Sequence, residues 1–190
     1  MAIPRRGFAR SAVGLAGLGS TAGCLDALSN PEPAFLSYKA ITVRWRRDRT
    51  QGYVADLCWL WSDGRSRIFG WAPEAYPDVV RSPTEVTLPE RTFRRLRDRF
   101  AGVELVLGFS RADTTDLALL ESDLGQVAVS RDRFNRVQFG DRITVARTES
   151  GVRVRDVEDA AHGDPTGWTV QIGTKDLVSQ FPDSRVPEPT

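Results

Sequence analysis

Thirteen residues from Leu88 to Phe100, LPERTFRRLRDRF, form the one stretch of this sequence whose apolar residues keep a helical period. Phe93, Leu96 and Phe100 fall at i, i+3 and i+7, Pro89 suits the start of a helix, and Arg91, Arg94, Arg95, Arg97 and Arg99 fill other positions. A helix of this kind has a single apolar stripe and must bury it against another layer. Most other apolar runs alternate with period two, so that layer is a β-sheet and the fold class is α+β.

The sheet can be traced along the chain. In FLSYKAITVRWRR, starting at Phe35, the residues Ile41, Val43 and Trp45 alternate with Thr42, Arg44 and Arg46, the pattern of a half-buried strand. Next, GYVADLCWLW places Tyr53, Ala55, Leu57, Trp59 and Trp61 on one face and Val54, Asp56, Cys58 and Leu60 on the other. Ser62, Asp63 and Gly64 make a turn, and a hairpin returns through Arg67 to Trp71. The proline-rich APEAYPDVVRSP from Ala72 to Pro83 is expected to be a long loop. Gly102 ends the helix, and VELVLGF follows as a buried strand. RADTTDLALLESDLGQ suits a short helix or a loop equally. VAVS and FNRVQFGDRITVARTESGVRVRDV read as strands, with turns at Gly140-Asp141 and Glu149-Ser150-Gly151. WTVQIG adds an edge strand. The sum is a mainly antiparallel sheet able to curl toward a barrel, with one amphipathic helix.

The N-terminus has a different character. PRRGFARSAVGLAGLGSTAGCLDALSN sets Arg5, Arg6 and Arg10 ahead of thirteen uncharged residues, Ser11 to Gly23, and stops at Cys24. Thirteen residues are short of the roughly twenty that cross a hydrocarbon core, and Gly14, Gly17, Gly19 and Gly23 soften the run further. The order Arg5, Arg6, one residue, Phe8, one residue, Arg10 resembles a twin-arginine export signal, and Thr21-Ala22-Gly23-Cys24 resembles a lipobox. Signals of this form are common among haloarchaeal lipoproteins. The resemblance covers about the first 26 residues. It implies cleavage before Cys24, a lipid on the Cys24 thiol, and a mature protein held at the outer face of the cytoplasmic membrane.

Cleavage there leaves 167 residues, enough for one core. Residues 1–23 are then the signal, 24–34 a spacer containing the proline-bearing SNPEP, 35–181 a single domain and 182–190 a frayed tail. Cys58 is the one cysteine left beside Cys24, so packing and not an internal disulfide must stabilise the domain. Removing the three signal arginines leaves 23 basic against 25 acidic residues, far from a strongly acidic surface.

Catalytic motifs are sparse. His162, in AAHGDPTG near Asp164, is the sole histidine and sits in an expected loop, where a surface role outweighs a triad. No GxSxG, Walker loop, GxGxxG, HExxH or CxxC occurs, so the sequence points to no metal and no cofactor. Asp113, Asp116, Glu121 and Asp123 cluster, and with Asp56 they are the material for a paired-carboxylate hydrolase. Sixteen aspartates and nine glutamates make such a cluster expected by chance.

Charge is uneven. Residues 31–100 hold 13 basic and 9 acidic side chains, and residues 101–190 hold 10 and 15. RWRRDR and the helix arginines Arg91, Arg94, Arg95, Arg97 and Arg99 are therefore the candidate anion-binding residues. Export removes nucleic acid as a partner and leaves anionic headgroups, envelope polymers or another envelope protein. The competing reading is a solvated helix face paired with the acidic half. Trp59 and Trp61 share a face with Tyr53 and could form a stacking platform, although core packing accounts for them more simply. The sequence thus suggests a lipid-anchored, non-enzymatic binding or structural module at the cell envelope, with an extracytoplasmic carboxylate hydrolase as the alternative.

Overall fold

The computed structural model describes residues 30–46, 52–111, 122, 124–148, 151–158 and 167–175. Arg5, Arg6, Phe8, Cys24, Asp113, Asp116, Glu121, Asp123, His162 and the expected tail lie outside them. Among the described residues, ten strands and two helices make an α+β fold in which antiparallel pairing dominates. The longest strand is β1 (Glu32–Arg46), which takes β6 (Gly102–Arg111) along one edge. Its other edge is shared, by β8 (Arg142–Thr148) at Glu32 to Ala34 and by β2 (Gly52–Ser62) from Tyr38 onward. The expected spacer therefore ends earlier than its prolines suggest, because Glu32 to Ala34 already belong to the sheet.

The order β9 (Gly151–Glu158), β8, β1, β6, β7 (Gly125–Ala128) runs through four antiparallel ladders. Successive reversals leave β7 and β9 parallel, and α2 (Arg131–Arg136) lies between β7 and β8 in the chain. This is the connectivity of an OB-type Greek-key barrel. The two outer strands curl toward each other: a Cβ added to Gly151 would stand 3.7 Å from the Gln126 carbonyl oxygen. No ladder joins them among the described residues, so the barrel stays open at that seam. Connectivity alone implies no function.

Everything from β2 to α1 is inserted between β1 and β6. β2 and β3 (Arg67–Pro73) form the expected hairpin, and β10 (Thr169–Lys175) extends it as an edge strand paired parallel to β3. The turn is fixed by Asp63, whose Oδ1 accepts from the N–H groups of Arg65, Ser66 and Arg67 at 2.8 to 2.9 Å. Partial burial opposes ionisation of Asp63, but these N–H groups and the Ser66 hydroxyl outweigh it and hold the carboxyl below its usual range. Gly64 adopts φ +71°, and its Cα faces the Phe35 ring so closely that a Cβ would collide with it.

Three sequence expectations fail for local reasons. Ile41 pairs with Cys58 but Thr42 pairs with Asp56, so Leu57 is an extra residue in β2. This bulge resets the alternation: Leu57 and Cys58 are both fully buried, and Asp56 accepts from Thr42 Oγ1 at 2.8 Å. The supposed loop 72–83 also contains β4 (Val80–Ser82), which pairs with β5 (Glu85–Val86) as a separate two-stranded sheet. The third difference concerns FNR, expected in a strand. Ser130 caps α2 instead, its Oγ accepting from Arg133 N at 3.4 Å, and Phe134 points into the core.

α2 connects barrel and insertion. Asn135 accepts from Leu88 N at 2.7 Å and donates to Leu88 O at 3.1 Å, while Gln138 Oε1 accepts from Val86 N at 2.9 Å. On the barrel side its C-terminal end is held by Lys39, a fully buried residue of β1. Lys39 Nζ donates to Phe134 O at 2.7 Å and Val137 O at 2.6 Å and lies 4.4 Å from the centre of the Phe134 ring. Cations favour helix C-termini, and here one reaches the last carbonyls from the sheet. Enclosure carries a cost, since burial drives the Lys39 pKa well below 10.5 against the opposing pull of Asp141.

Candidate functional site

The arginine helix is α1 (Glu90–Arg99), with Pro89 just ahead of its first residue. Thr92 and Leu96 are buried, Phe93 packs partly against the core, and Phe100 closes the helix through Phe100 N to Leu96 O at 2.9 Å. Thr92 Oγ1 also donates to Asp78 Oδ2 at 2.5 Å, which ties the first turn to the preceding loop. With that stripe inward, the five arginines have only the opposite face and its flanks to occupy. Arg91, Arg94, Arg95 and Arg97 are exposed and Arg99 is half-buried.

Their neighbours differ. Arg94 Nε pairs with Glu90 Oε1 at 2.7 Å, one turn away. Arg131, from the acidic half of the chain, reaches the other oxygen of Glu90 at 3.1 Å. The hydrogen bond from Arg94, with Arg131 and Arg97 near, holds the Glu90 carboxyl below its usual range. Arg95 lies 5.4 Å from the centre of the Tyr76 ring, Arg97 lies 5.7 Å from that of Phe93, and Arg99 donates to the Tyr76 hydroxyl at 3.1 Å. Arg91, Arg95 and Arg97 have no carboxylate partner among the described residues. Among the described residues, no acid of residues 101–190 pairs with this face. What those residues bring to Glu90 is another arginine.

The remaining candidates separate clearly. Among the described residues no three His, Cys, Asp or Glu side chains gather as metal ligands. Asp56 is half-buried beside Thr42, and Glu104 is bonded to Arg44 at 2.6 Å. Cys58 is enclosed in the core, and burial pushes its thiol up to about 12, which suits an inert apolar group and not a nucleophile. The Tyr53 side chain lies outside the described residues. Trp59 touches three other rings, with centres 4.7 Å from Trp71, 5.7 Å from Phe69 and 6.2 Å from Tyr38. Trp61 is buried against Phe69 at 4.8 Å. These rings pack mainly on each other.

Lys39 was not among the sequence candidates, and only its position in an apolar strand, SYKAI, marked it. No helix among the described residues is long and apolar enough to cross a membrane. No family model, no curated protein and no solved structure matches the chain, so the functional reading rests on its own residues.

Proposed function

We propose that the chain is a lipid-anchored extracytoplasmic binding module, with α1 as the surface that meets anionic components of the envelope. The observation that carries this reading is the α1 face itself, where Arg91, Arg95 and Arg97 have no carboxylate partner among the described residues and Glu90 is claimed by Arg94 and Arg131. Each basic residue near an anionic membrane surface contributes about 1 kcal/mol, and a lipid on Cys24 would hold the domain within reach of such a surface. The export reading rests on the residues Arg5, Arg6, Phe8 and Cys24.

Two experiments test the two parts. Intact mass and detergent-phase partition of the wild type and Cys24→Ser, expressed in a host with twin-arginine export, test the anchor. A wild type of lipid-increased mass starting at Cys24 supports it, and two full-length cytosolic products sink it. For the surface, full-chain Cys24→Ser protein is floated with phosphatidylglycerol or phosphatidylcholine vesicles. Flotation with the anionic vesicles alone, weakened by salt and abolished by Arg91→Glu with Arg95→Glu, is expected. Equal flotation with both vesicles, or insensitivity to the charge reversal, overturns the assignment.

A further inference from the structure

β3 and β10 each turn a pair of side chains to the face of the sheet opposite the fully buried Ile68. Their parallel register sets Thr169 beside Arg67 and Gln171 beside Phe69. Two residues along a strand span about 6.6 Å and neighbouring strands lie about 4.8 Å apart, so the four side chains stand at the corners of a rectangle of roughly 5 by 7 Å. They line a pocket of about 280 Å³, with Ile68 between the two β3 residues.

The lining combines one apolar group with three polar ones. Phe69 is half-buried and packs on Trp61 and Trp59, with ring centres 4.8 and 5.7 Å away, so its ring is fixed in place. Arg67, Thr169 and Gln171 are exposed, and their side chains make no hydrogen bond or ion pair among the described residues. β3 is an inner strand, laddered to β2 on one edge and to β10 on the other, so its backbone has no free edge for a peptide to join. Recognition here falls to side chains. On the same face Trp71 follows Phe69, and opposite it on β10 stands Gly173. A Cβ on Gly173 would have only the Gly70 carbonyl oxygen within 4 Å, at 3.9 Å, so no side chain closes the pocket at that end.

We infer that this pocket binds an acidic saccharide, a sugar ring carrying a carboxylate, as one unit of a longer chain. A pyranose ring matches the rectangle and offers a face of C–H groups to Phe69 and hydroxyls to Thr169 and Gln171. Its carboxylate meets the planar fork of Arg67. One guanidinium balances one negative charge and would leave a phosphate dianion half-compensated. The volume lies at the lower end of small-molecule sites and admits a single ring, while the next unit extends over Trp71, where Gly173 leaves room. The site is separate from α1 and depends neither on that surface nor on the anchor.

Isothermal titration calorimetry tests this with the full chain in detergent at about 0.15 M salt, where long-range charge effects are screened. The probes are tetragalacturonate, its methyl ester, which keeps the rings without the charge, and acetate, which keeps the charge without the ring. Saturable binding of tetragalacturonate below about 1 mM is expected, at least about tenfold tighter than that of the ester. Arg67→Gln should abolish that preference, and Gln171→Ala should weaken both ligands about threefold or more at unchanged melting temperature. Gln171→Ala stands as the test if Arg67→Gln does not fold. Arg91→Glu with Arg95→Glu should leave the titration unchanged. The inference falls if acid and ester bind alike, if no saturable binding occurs below about 1 mM, if acetate displaces the tetramer at equal concentration, or if neither pocket substitution matters. It also falls if the α1 reversal removes binding, since the acid would then be a ligand of α1.

Discussion

Lys39 and the arginines of α1 are cations placed under opposite conditions. Lys39 is fully enclosed and spends its donors on Phe134 O and Val137 O, whereas Arg91, Arg94, Arg95 and Arg97 face water, and among the described residues only Arg94 of these four pairs with a carboxylate, that of Glu90. An enclosed charge is stable only if its partners are fixed, and the bonds of Lys39 hold β1 to α2. An exposed charge costs little to leave unpaired and remains available to a partner. The difference separates the part of the molecule that maintains the fold from the part that can recognise something else.

The comparison breaks most readily at Lys39. Lys39→Ala leaves two helix carbonyls buried without a donor and opens a cavity, so a loss of about 3 kcal/mol or more is expected in urea unfolding. Its pH dependence sharpens the point. Burial lowers the folded pKa of Lys39, so between that lowered value and the ordinary 10.5 the unfolded chain binds the extra proton. Stability should therefore rise with pH across that window, by up to about 1.4 kcal/mol per unit, and Lys39→Met should flatten the rise. A wild-type stability that falls across the window while Lys39→Met stays flat would contradict the account.

Gly64→Ala comes next, because it combines a positive φ with a clash against Phe35. A loss of about 2 kcal/mol is expected by thermal unfolding. Asn135→Ala should cost about 1 to 2 kcal/mol by removing both bonds to the Leu88 backbone. Its further signature is faster hydrogen exchange at Leu88 N. At the small end, Arg94→Ala should change stability by no more than about 0.5 kcal/mol, since its pair with Glu90 is exposed. A loss as large as that of Lys39→Ala would erase the distinction between the two kinds of cation.

Much of the sheet was legible in the sequence wherever a strand kept strict alternation between a core and water. Ile143, Val145, Val152 and Val154 are buried as their spacing requires, and the hairpin turn at Asp63 and Gly64 uses residues suited to it. α1 was legible because ten residues carry enough turns for a stripe to register. α2 is too short for that and depends on the Ser130 cap and on Phe134 finding the core. The Leu57 bulge was hidden for another reason. One added residue is invisible until β2 is aligned with β1, and it separates Asp56 from Cys58, which alternation alone had placed on one face. Within the candidate site, the arginines were readable as a group, but the capture of Glu90 by Arg131 required two distant segments to meet.

By itself, then, the sequence determined the local geometry: strand and helix periods, the Asp63 turn, and an α1 that must present arginines wherever its apolar stripe does not. These follow from residue spacing along one element, which sterics and burial fix without reference to distant chain. Only the tertiary structure decided the register of β2, the enclosure of Lys39, the bond network between Asn135 and Leu88, and the seam left open between β7 and β9. Each of these depends on residues tens of positions apart arriving at one place, where packing and hydrogen-bond satisfaction select among arrangements that local preference leaves equal.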